Sequence, residues 1–398
     1  MLTISNKGKL MPESPIRKLV SFAEKAKQKG VKVFHLNIGQ PDIETPPAAI
    51  EAVRNSKIKV LAYSKSEGDI ELRNKICNYY SKLDIKINNS EVIVTSGASE
   101  ALLFTLGSIM DPSEEIIIPE PFYANYNGFS VANGVNIIPI FSSIDNNFKL
   151  PKIEDFENLI TEKTKGILIC NPNNPTGYVY SRDEIKTLVE IVKKHNLFLI
   201  ADEVYREFTY ENACHTSILE FSEIQENAIV IDSVSKRYSM CGARIGCIIS
   251  KNAEFISTAM KFAQARLSPP TLAQIASTAA MDVGEEYFDS VINEYNERRK
   301  TLIKGLNEIP GVKVSIPNGA FYCVVELPVK NSENFAKWLL EDFSLNNETI
   351  MVAPAAGFYS SPNMGENQVR IAYVLNQSDL KTCVNILKNG LGEYLKND

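Results

Sequence analysis

The chain has 398 residues, of which 44% are hydrophobic and 23% are charged, so we expect a globular protein with a large and a smaller domain. The formal net charge of −6 argues against a nucleic-acid partner, and no apolar run approaches the ~20 residues of a membrane span. Seven scattered cysteines favour a reducing compartment and three histidines without helical spacing form no metal-binding pattern, so we predict a cytoplasmic protein without a metal.

Short apolar segments alternate with amphipathic ones through most of the chain. An early helix is predicted over Ile16–Lys29, and a later one, over Ser181–His195, has Ser181 as its N-cap. The predicted strands are short and β-branched, as strands buried on both faces tend to be. They are Glu91–Thr95, Glu115–Pro119, Val135–Ile140, Gly166–Cys170, Leu197–Ala201, Ala228–Asp232 and Ile245–Ser250. This alternation predicts an α/β fold with a mostly parallel seven-stranded sheet flanked by helices.

The last third of the chain has a different pattern, typical of an α+β region. It contains a predicted helix, two strands, a second helix and a final strand, at Tyr287–Asn307, Val312–Ile316, Phe321–Glu326, Asn334–Leu345 and Gln368–Tyr373. The segment before about residue 45 precedes the sheet and is expected to pack with this region. We therefore predict a large domain over residues 46–285 and a small domain from residues 1–45 and 286–398.

Four of the predicted strands are followed at once by a polar or glycine-containing turn. In parallel sheets, ligands bind outside the carboxyl ends of the strands, so these turns should meet at one edge. Each turn alone also fits a structural role, as a helix cap, a rigid proline loop, a buried ion pair or a solvated lysine. The candidate residues in the turns are Gly97, Ala98 and Ser99; Asn174; Asp202 and Tyr205; and Ser233, Ser235, Lys236 and Arg244.

Together these residues suit pyridoxal 5'-phosphate. The amine of Lys236 could form a Schiff base with its aldehyde, and the carboxylate of Asp202 could keep its pyridine nitrogen protonated. Asn174 and Tyr205 could donate to its phenolic oxygen, and Tyr123 could cover its ring. The residues that could hold the phosphate are Gly97, Ala98, Ser99, Ser233, Ser235 and Arg244.

Three motifs in this order and spacing resemble the class I/II aminotransferases of the aspartate aminotransferase superfamily, fold type I. They are NPNNPTG at residues 171–177, DEVY at 202–205 and SVSKRYSMCGARIG at 233–246, and the similarity extends from LNIGQPDIETP at 36–46 to VRIAY at 369–373. The resemblance implies that Lys236, Asp202 and Tyr205 are catalytic. It also implies a homodimer with shared active sites, in which Tyr63 reaches the phosphate in the neighbouring subunit. The implied substrate-binding residues are Gly39, Asn174 and Arg370.

The expected reaction is transfer of an amino group from an L-amino acid to a 2-oxo acid such as 2-oxoglutarate, in ping-pong order with Lys236 moving the proton. Aspartate is the first expected donor, and aromatic or branched amino acids and alanine are the others. A second cation for the substrate side chain stays open among Arg266, Arg17, Lys18 and Lys65. The alternatives are a pyridoxal-phosphate-dependent lyase that eliminates at the β or γ carbon or breaks a C–S bond and, less favoured, a non-catalytic regulator.

Overall fold

The computed structural model of the chain describes residues 2–396, in which strands and helices alternate. The strands are β1 (Lys32–His35), β2 (Val92–Thr95), β3 (Glu115–Glu120), β4 (Asn136–Phe141), β5 (Thr164–Cys170), β6 (Phe198–Asp202), β7 (Ala228–Ser233), β8 (Gly246–Ile249), β9 (Lys313–Val314), β10 (Tyr322–Glu326), β11 (Glu348–Met351), β12 (Ala353–Pro354) and β13 (Gln368–Ala372). The helices are α1 (Asn6–Leu10), α2 (Val20–Gln28), α3 (Pro47–Arg54), α4 (Ile70–Ser81), α5 (Ala98–Ile109), α6 (Asn125–Asn133), α7 (Ile153–Glu157), α8 (Arg182–His195), α9 (Val234–Arg237), α10 (Ala253–Arg266), α11 (Thr271–Ala280), α12 (Glu285–Asn307), α13 (Ser332–Glu341) and α14 (Gln377–Tyr394).

The large sheet has seven strands in the order β2-β8-β7-β6-β5-β3-β4. Strand β8 runs antiparallel to β2 and β7, and the other neighbouring strands are parallel. Every residue of β7 is buried, because helices cover both faces of the sheet and exclude water from both sides of the strand. The seven predicted strands correspond to β2–β8, and the predicted α/β class is confirmed.

The remaining strands form two smaller sheets. Strands β12, β13, β10 and β9 form an antiparallel sheet, and β1 pairs in parallel with β11. The pairing of β1 with β11 ties the N-terminal segment to the C-terminal third, as expected for the smaller α+β region. The domain boundaries at residues 45/46 and 285/286 stay a prediction.

The largest differences from the predicted elements are at their ends. The helix predicted from Ile16 begins at Val20, because residues 15–19 form turns in which the N–H groups of Arg17 and Lys18 both donate to Ser14 O at 3.0 Å. The helix predicted to reach Leu345 ends at Glu341. Positive φ angles at Asn346 and Asn347 (54° and 61°) turn the chain into β11 there. The strand predicted over Val312–Ile316 is reduced to the two residues of β9.

The predicted N-cap of α8 is confirmed. Ser181 Oγ accepts a hydrogen bond from the N–H of Glu184, and the Glu184 carboxylate accepts one from the N–H of Ser181 at 2.8 Å. Across residues 2–396, no helix is long and apolar enough to cross a membrane. In the same residues, no cluster of three or more His, Cys, Asp or Glu side chains has an arrangement that could hold a metal ion.

Candidate active site

A cavity of about 610 Å³ is lined by residues from the turns that follow β2, β5, β6 and β7. Those turns contribute Ala98, Ser99, Asn174, Asp202, Tyr205, Ser233, Ser235, Lys236 and Arg244. Gly39, Tyr123 and Arg370, which the sequence also singled out, line the same cavity. The polar turns therefore meet at one edge of the sheet, as the order of the strands predicts.

Two of the residues predicted to bind the cofactor lie outside the lining. Gly97 sits directly beside it with φ +78°, and a methyl group there would overlap the guanidinium of Arg244. Tyr63 is 79% exposed and belongs to no part of this cavity. Exposure of this kind suits the predicted contact with a neighbouring subunit, which stays a prediction.

The amine of Lys236 lies inside the cavity and donates a hydrogen bond to Gly39 O at 2.7 Å. Burial lowers the pKa of Lys236 to about 8, and the positive charges of Arg370 and Arg244 act in the same direction. Near pH 8 about half of this lysine is therefore the neutral amine, which is the form that attacks a carbonyl carbon. The solvated surface lysine considered from the sequence does not describe this residue.

Asp202 is a buried carboxylate without a cation beside it. Its Oδ2 accepts a hydrogen bond from the Tyr126 hydroxyl at 2.8 Å, and no basic side chain of residues 2–396 lies within ion-pair distance. Burial raises the pKa of Asp202 to about 6. Since an unpaired buried carboxylate is costly, the site favours a cationic group that would come from a ligand.

Glu203, the next residue, faces the other way. Its Oε1 accepts hydrogen bonds from Ser217 Oγ at 2.9 Å and from the N–H of Ile218 at 3.2 Å. Its other oxygen lies 3.5 Å from Arg206 Nη1. Successive residues at the end of a strand point to opposite faces of the sheet, so only Asp202 enters the cavity.

Arg370 stands on β13, on the other side of the cavity, and is 1% exposed. Its Nη1 donates to Asn174 Oδ1 at 3.0 Å and its Nη2 donates to Asn37 O, while Nε has no hydrogen-bond partner within residues 2–396. Burial lowers the pKa of Arg370. A buried guanidinium with an unused donor, next to a cavity, is suited to bind a carboxylate.

The charge of the cavity is opposite to that of the chain. One acidic side chain, Asp202, lines it, against four basic ones, at Arg17, Lys236, Arg244 and Arg370. The whole chain has a formal net charge of −6. This cavity therefore selects anionic groups, such as a phosphate and one or two carboxylates.

The structure distinguishes among the four candidates for a second substrate cation. Arg266 Nη1 is 2.6 Å from Glu100 Oε2, and Lys18 forms an ion pair with Glu333. Lys65 is exposed and lies outside the cavity lining. Arg17 alone among the four lines the cavity, where its side chain stays solvent-accessible.

Several lining residues carried no signal in the sequence. Tyr322 is 2% exposed and lies in the apolar strand β10, so it has the pattern of a core residue. Asn125 was missed as well, although its Nδ2 donates to the Tyr123 hydroxyl at 2.8 Å. The other missed lining residues are Ser14, Ile16, Ile38, Gln40, Leu102, Cys170, Val204, Cys241 and Gly242.

Comparison with known families identifies the family of this chain. Residues 31–387 match the family described as Aminotransferase class I and II, which covers nearly the whole chain. The chain belongs to this family. Its members are enzymes that use pyridoxal phosphate, so this aminotransferase takes the cofactor that the four turns predicted.

Similar proteins agree on the reaction class and differ in the substrate that their names give. The aspartate aminotransferase of Pyrococcus horikoshii is 32% identical over 396 residues, which cover 98% of this chain and 97% of that protein. The (5-formylfuran-3-yl)methyl phosphate transaminase of Methanocaldococcus jannaschii is 33% identical over 381 residues, or 94% of this chain and 96% of that one. The structure of the alanine aminotransferase of Pyrococcus furiosus superposes with a TM-score of 0.90 at 29% identity, covering 98% of this chain and 100% of that one.

Proposed function

We propose that this aminotransferase moves the amino group of L-aspartate to a 2-oxo acid such as 2-oxoglutarate, in ping-pong order. The observation that carries this choice is the charge of the cavity, in which Arg17 lies apart from the buried pair of Arg370 and Asn174. An amino acid with a second carboxylate would use both cationic positions. Aromatic and branched amino acids and alanine, which need only one, are the remaining donors to test.

The residues of the cavity fit pyridoxal phosphate. The cofactor supplies an electron sink for the substrate carbon when its ring nitrogen is protonated. The unpaired carboxylate of Asp202 would hold that nitrogen, Lys236 would attach the aldehyde carbon, and Tyr123 would cover the ring. Asn174 and Tyr205 would donate to the phenolic oxygen. The residues proposed to hold the phosphate are Gly97, Ala98, Ser99, Ser233, Ser235 and Arg244.

Lys236 has a second proposed task, as the acid and base that moves a proton between substrate carbon and cofactor. A general base works best when its pKa is close to the working pH, and burial brings the pKa of Lys236 to about 8. The hydrogen bond to Gly39 O shows that the amine reaches the segment opposite the sheet.

The α-carboxylate of the substrate would bind Arg370, with Asn174 and the backbone of Gly39 beside it. Gly39 has no room for a side chain, because a methyl group there would overlap the hydroxyl of Tyr322. The distal carboxylate would face Arg17. Ile16 and Ile38 also line the cavity, and they would exclude water from the substrate carbon chain.

We also propose a homodimer whose active sites are shared. Residues 58–63 and the segment around Leu267 carry exposed apolar side chains, among them Val60 and Leu61 at 77% and 66% exposure. The two segments lie together, since Thr271 Oγ1 donates to Ala62 O at 3.2 Å and, just beyond residue 63, Ser66 Oγ donates to Leu267 O at 2.6 Å. A patch of this kind on a monomer marks an association surface, and it includes Tyr63.

The test follows the absorbance of the bound cofactor. Single amino acids are mixed with the purified holoenzyme, and 2-oxo acids are then added to find which one restores the original spectrum. We expect aspartate to convert the cofactor and 2-oxoglutarate to restore it. If no amino acid converts it, the transaminase proposal is wrong. Turnover without any 2-oxo acid, with release of ammonia or a thiol, would establish the lyase instead.

A further inference from the structure

Tyr322 contacts three residues that have proposed functions in the cavity, namely Tyr205, Arg370 and Gly39. It is the first residue of β10, it is 2% exposed, and its hydroxyl oxygen is 2.8 Å from the hydroxyl oxygen of Tyr205. The ring of Tyr322 packs against the guanidinium of Arg370, with 4.5 Å between the ring centroid and Cζ. Its hydroxyl also fills the space beside Gly39. Packing in the core does not by itself explain these contacts, and Tyr322 is not part of the four turns that line the cavity.

The direction of the hydrogen bond between the two hydroxyls depends on where each phenol donates its single proton. Burial raises the pKa values of Tyr205 and Tyr322 above 10, so both phenols stay protonated at neutral pH. Each phenol has one proton to donate and can accept a second. If Tyr205 gives its proton to a ligand oxygen in the cavity, the bond between the two hydroxyls must be donated by Tyr322.

We propose that Tyr322 is a positioning residue, which donates to the Tyr205 hydroxyl and thereby directs the Tyr205 proton at the phenolic oxygen of the cofactor. This inference rests on the proposed roles of Tyr205 and of the cofactor. The direction of the bond follows from the proton count, and the geometry supplies the position: β10 and the ring contact with Arg370 hold the Tyr322 hydroxyl 2.8 Å from that of Tyr205. Hydrogen bonds in such a chain polarise one another, so the second bond strengthens the first.

The ring and the hydroxyl of Tyr322 have separable effects. Tyr322→Phe removes the donated hydrogen bond and keeps the ring against Arg370. Tyr322→Leu removes both. The first variant should change the electronic state of the bound cofactor, and the second should also weaken binding of the substrate carboxylate.

The experiment is a pH titration of the absorbance of the bound cofactor in the holoenzyme without substrate. A donor to the phenolic oxygen stabilises the form in which that oxygen bears the negative charge, so its loss raises the apparent pKa of the spectrum. We expect Tyr322→Phe to raise that pKa by roughly half a pH unit and Tyr205→Phe to raise it further. The matched control is Tyr373→Phe, which removes another buried hydroxyl that donates to Ala320 O at 3.3 Å and should leave the titration unchanged.

Two outcomes would overturn the proposal. The titration of Tyr322→Phe could match that of the wild type, or its only change could be weaker binding of a substrate carboxylate, which would assign the hydroxyl to Arg370. Failure of the proposed function is a different result, in which the wild-type holoenzyme converts with no amino acid. If the wild type converts and Tyr322→Phe titrates like the wild type, this inference alone is wrong.

Discussion

The ends of β6 and β7 carry charged residues on both faces of the sheet. On one face these charges have no ion-pair partner among the residues that the structure describes, and on the other face they are paired. On the cavity face, Asp202 and Lys236 have no ion-pair partner within residues 2–396. On the other face lies a set that we name the paired cluster, made of Glu203, Arg206, Glu207, Asp232 and Arg237. Neighbours in sequence are divided between the faces, as Asp202 is from Glu203 and Lys236 is from Arg237.

The members of the paired cluster form ion pairs with one another. Arg237 donates to both oxygens of Asp232, at 3.0 and 2.7 Å, and its Nε lies 3.2 Å from Glu207. The ring of Tyr79 covers the guanidinium of Arg237, 4.1 Å from Cζ to the centroid. Pairing makes these buried charges part of the structure, whereas the unpaired charges of the cavity leave a place for a charged ligand.

Substitution of Lys236 should give the largest effect on the cavity face. Lys236→Ala removes both the attachment point and the proton-transfer group, so we expect kcat/KM to fall by at least about 10²–10⁴-fold, the usual contribution of general acid–base catalysis. The free energy of unfolding of the cofactor-free protein should change little. The measurement is the rate of the half-reaction, with mass spectrometry after borohydride reduction to locate the attached cofactor. Lys193→Ala, on the exposed surface of α8, is the control, and attachment at a lysine other than 236 would contradict the assignment.

Substitution in the paired cluster should have the reverse effect, with a large loss of stability and little direct effect on the chemistry of the cavity. Asp232→Asn leaves the buried Arg237 with one carboxylate fewer, and loss of one partner of a buried ion pair costs about 3 kcal/mol in the free energy of unfolding. Urea unfolding of the cofactor-free protein measures the loss. The control is Asp145→Asn, which breaks an exposed pair with Lys313 and should change the free energy of unfolding much less, because water screens exposed charges. Equal losses in the two variants would show that the paired cluster does not stabilise the fold as proposed.

Asp202→Asn should stabilise the cofactor-free protein at pH 8 while it abolishes transamination. Burial raises the pKa of Asp202 from 3.8 to about 6, so the folded state binds this proton more tightly than the unfolded state. The carboxyl group of Asp202 therefore does not lower the free energy of unfolding below about pH 4. It lowers it progressively as the pH rises from about 4 to 6, and by the full amount above about pH 6. The variant cannot ionise, so its advantage at pH 8 should be about 3 kcal/mol, the free energy that corresponds to the raised pKa, and should nearly vanish at pH 4.

Unfolding of both proteins in urea at pH 4 and pH 8 checks this prediction. Asparagine keeps an acceptor for the hydroxyl of Tyr126, so the hydrogen bond seen at 2.8 Å survives the change. Asp289→Asn, at an exposed position, is the matched control and should show no such pH dependence. A variant less stable than the wild type at pH 8 would mean that Asp202 is paired after all.

The residues on the cavity face could be predicted from the sequence because local sequence patterns determine their positions. Buried parallel strands are short apolar runs, and the polar turn after each run must lie at the same edge of the sheet. That places Asn174, Asp202 and Lys236 together without any knowledge of tertiary packing. The sequence pointed to Asp202, and the structure adds that its neighbour Glu203 takes the opposite face of the sheet.

The opposite side of the cavity depends on packing over long distances in the chain. Tyr322 lies within the run FYCVVEL, where it has the pattern of a buried strand residue, and its contact with Tyr205 spans 117 positions. Arg17 lines the cavity from the turns that precede Val20, where the sequence predicted a helix. No local pattern encodes such contacts, since they depend on how the small sheets sit against the large one.

The smallest predicted effect concerns a neutral hydrogen bond on the same face as the paired cluster. Ser181→Ala removes the N-cap of α8, whose residues Ile185 and Leu188 are buried in the core of that face, and a lost cap costs about 1 kcal/mol. The urea midpoint should fall accordingly, and Ser181→Thr, which keeps the hydroxyl, should restore most of it. The pH titration of the bound cofactor should not move in either variant, because α8 contributes nothing to the cavity lining. A shift of that titration in Ser181→Ala alone would mean that the two faces of the sheet are coupled, and the division between ligand-binding charge and structural charge would then be incomplete.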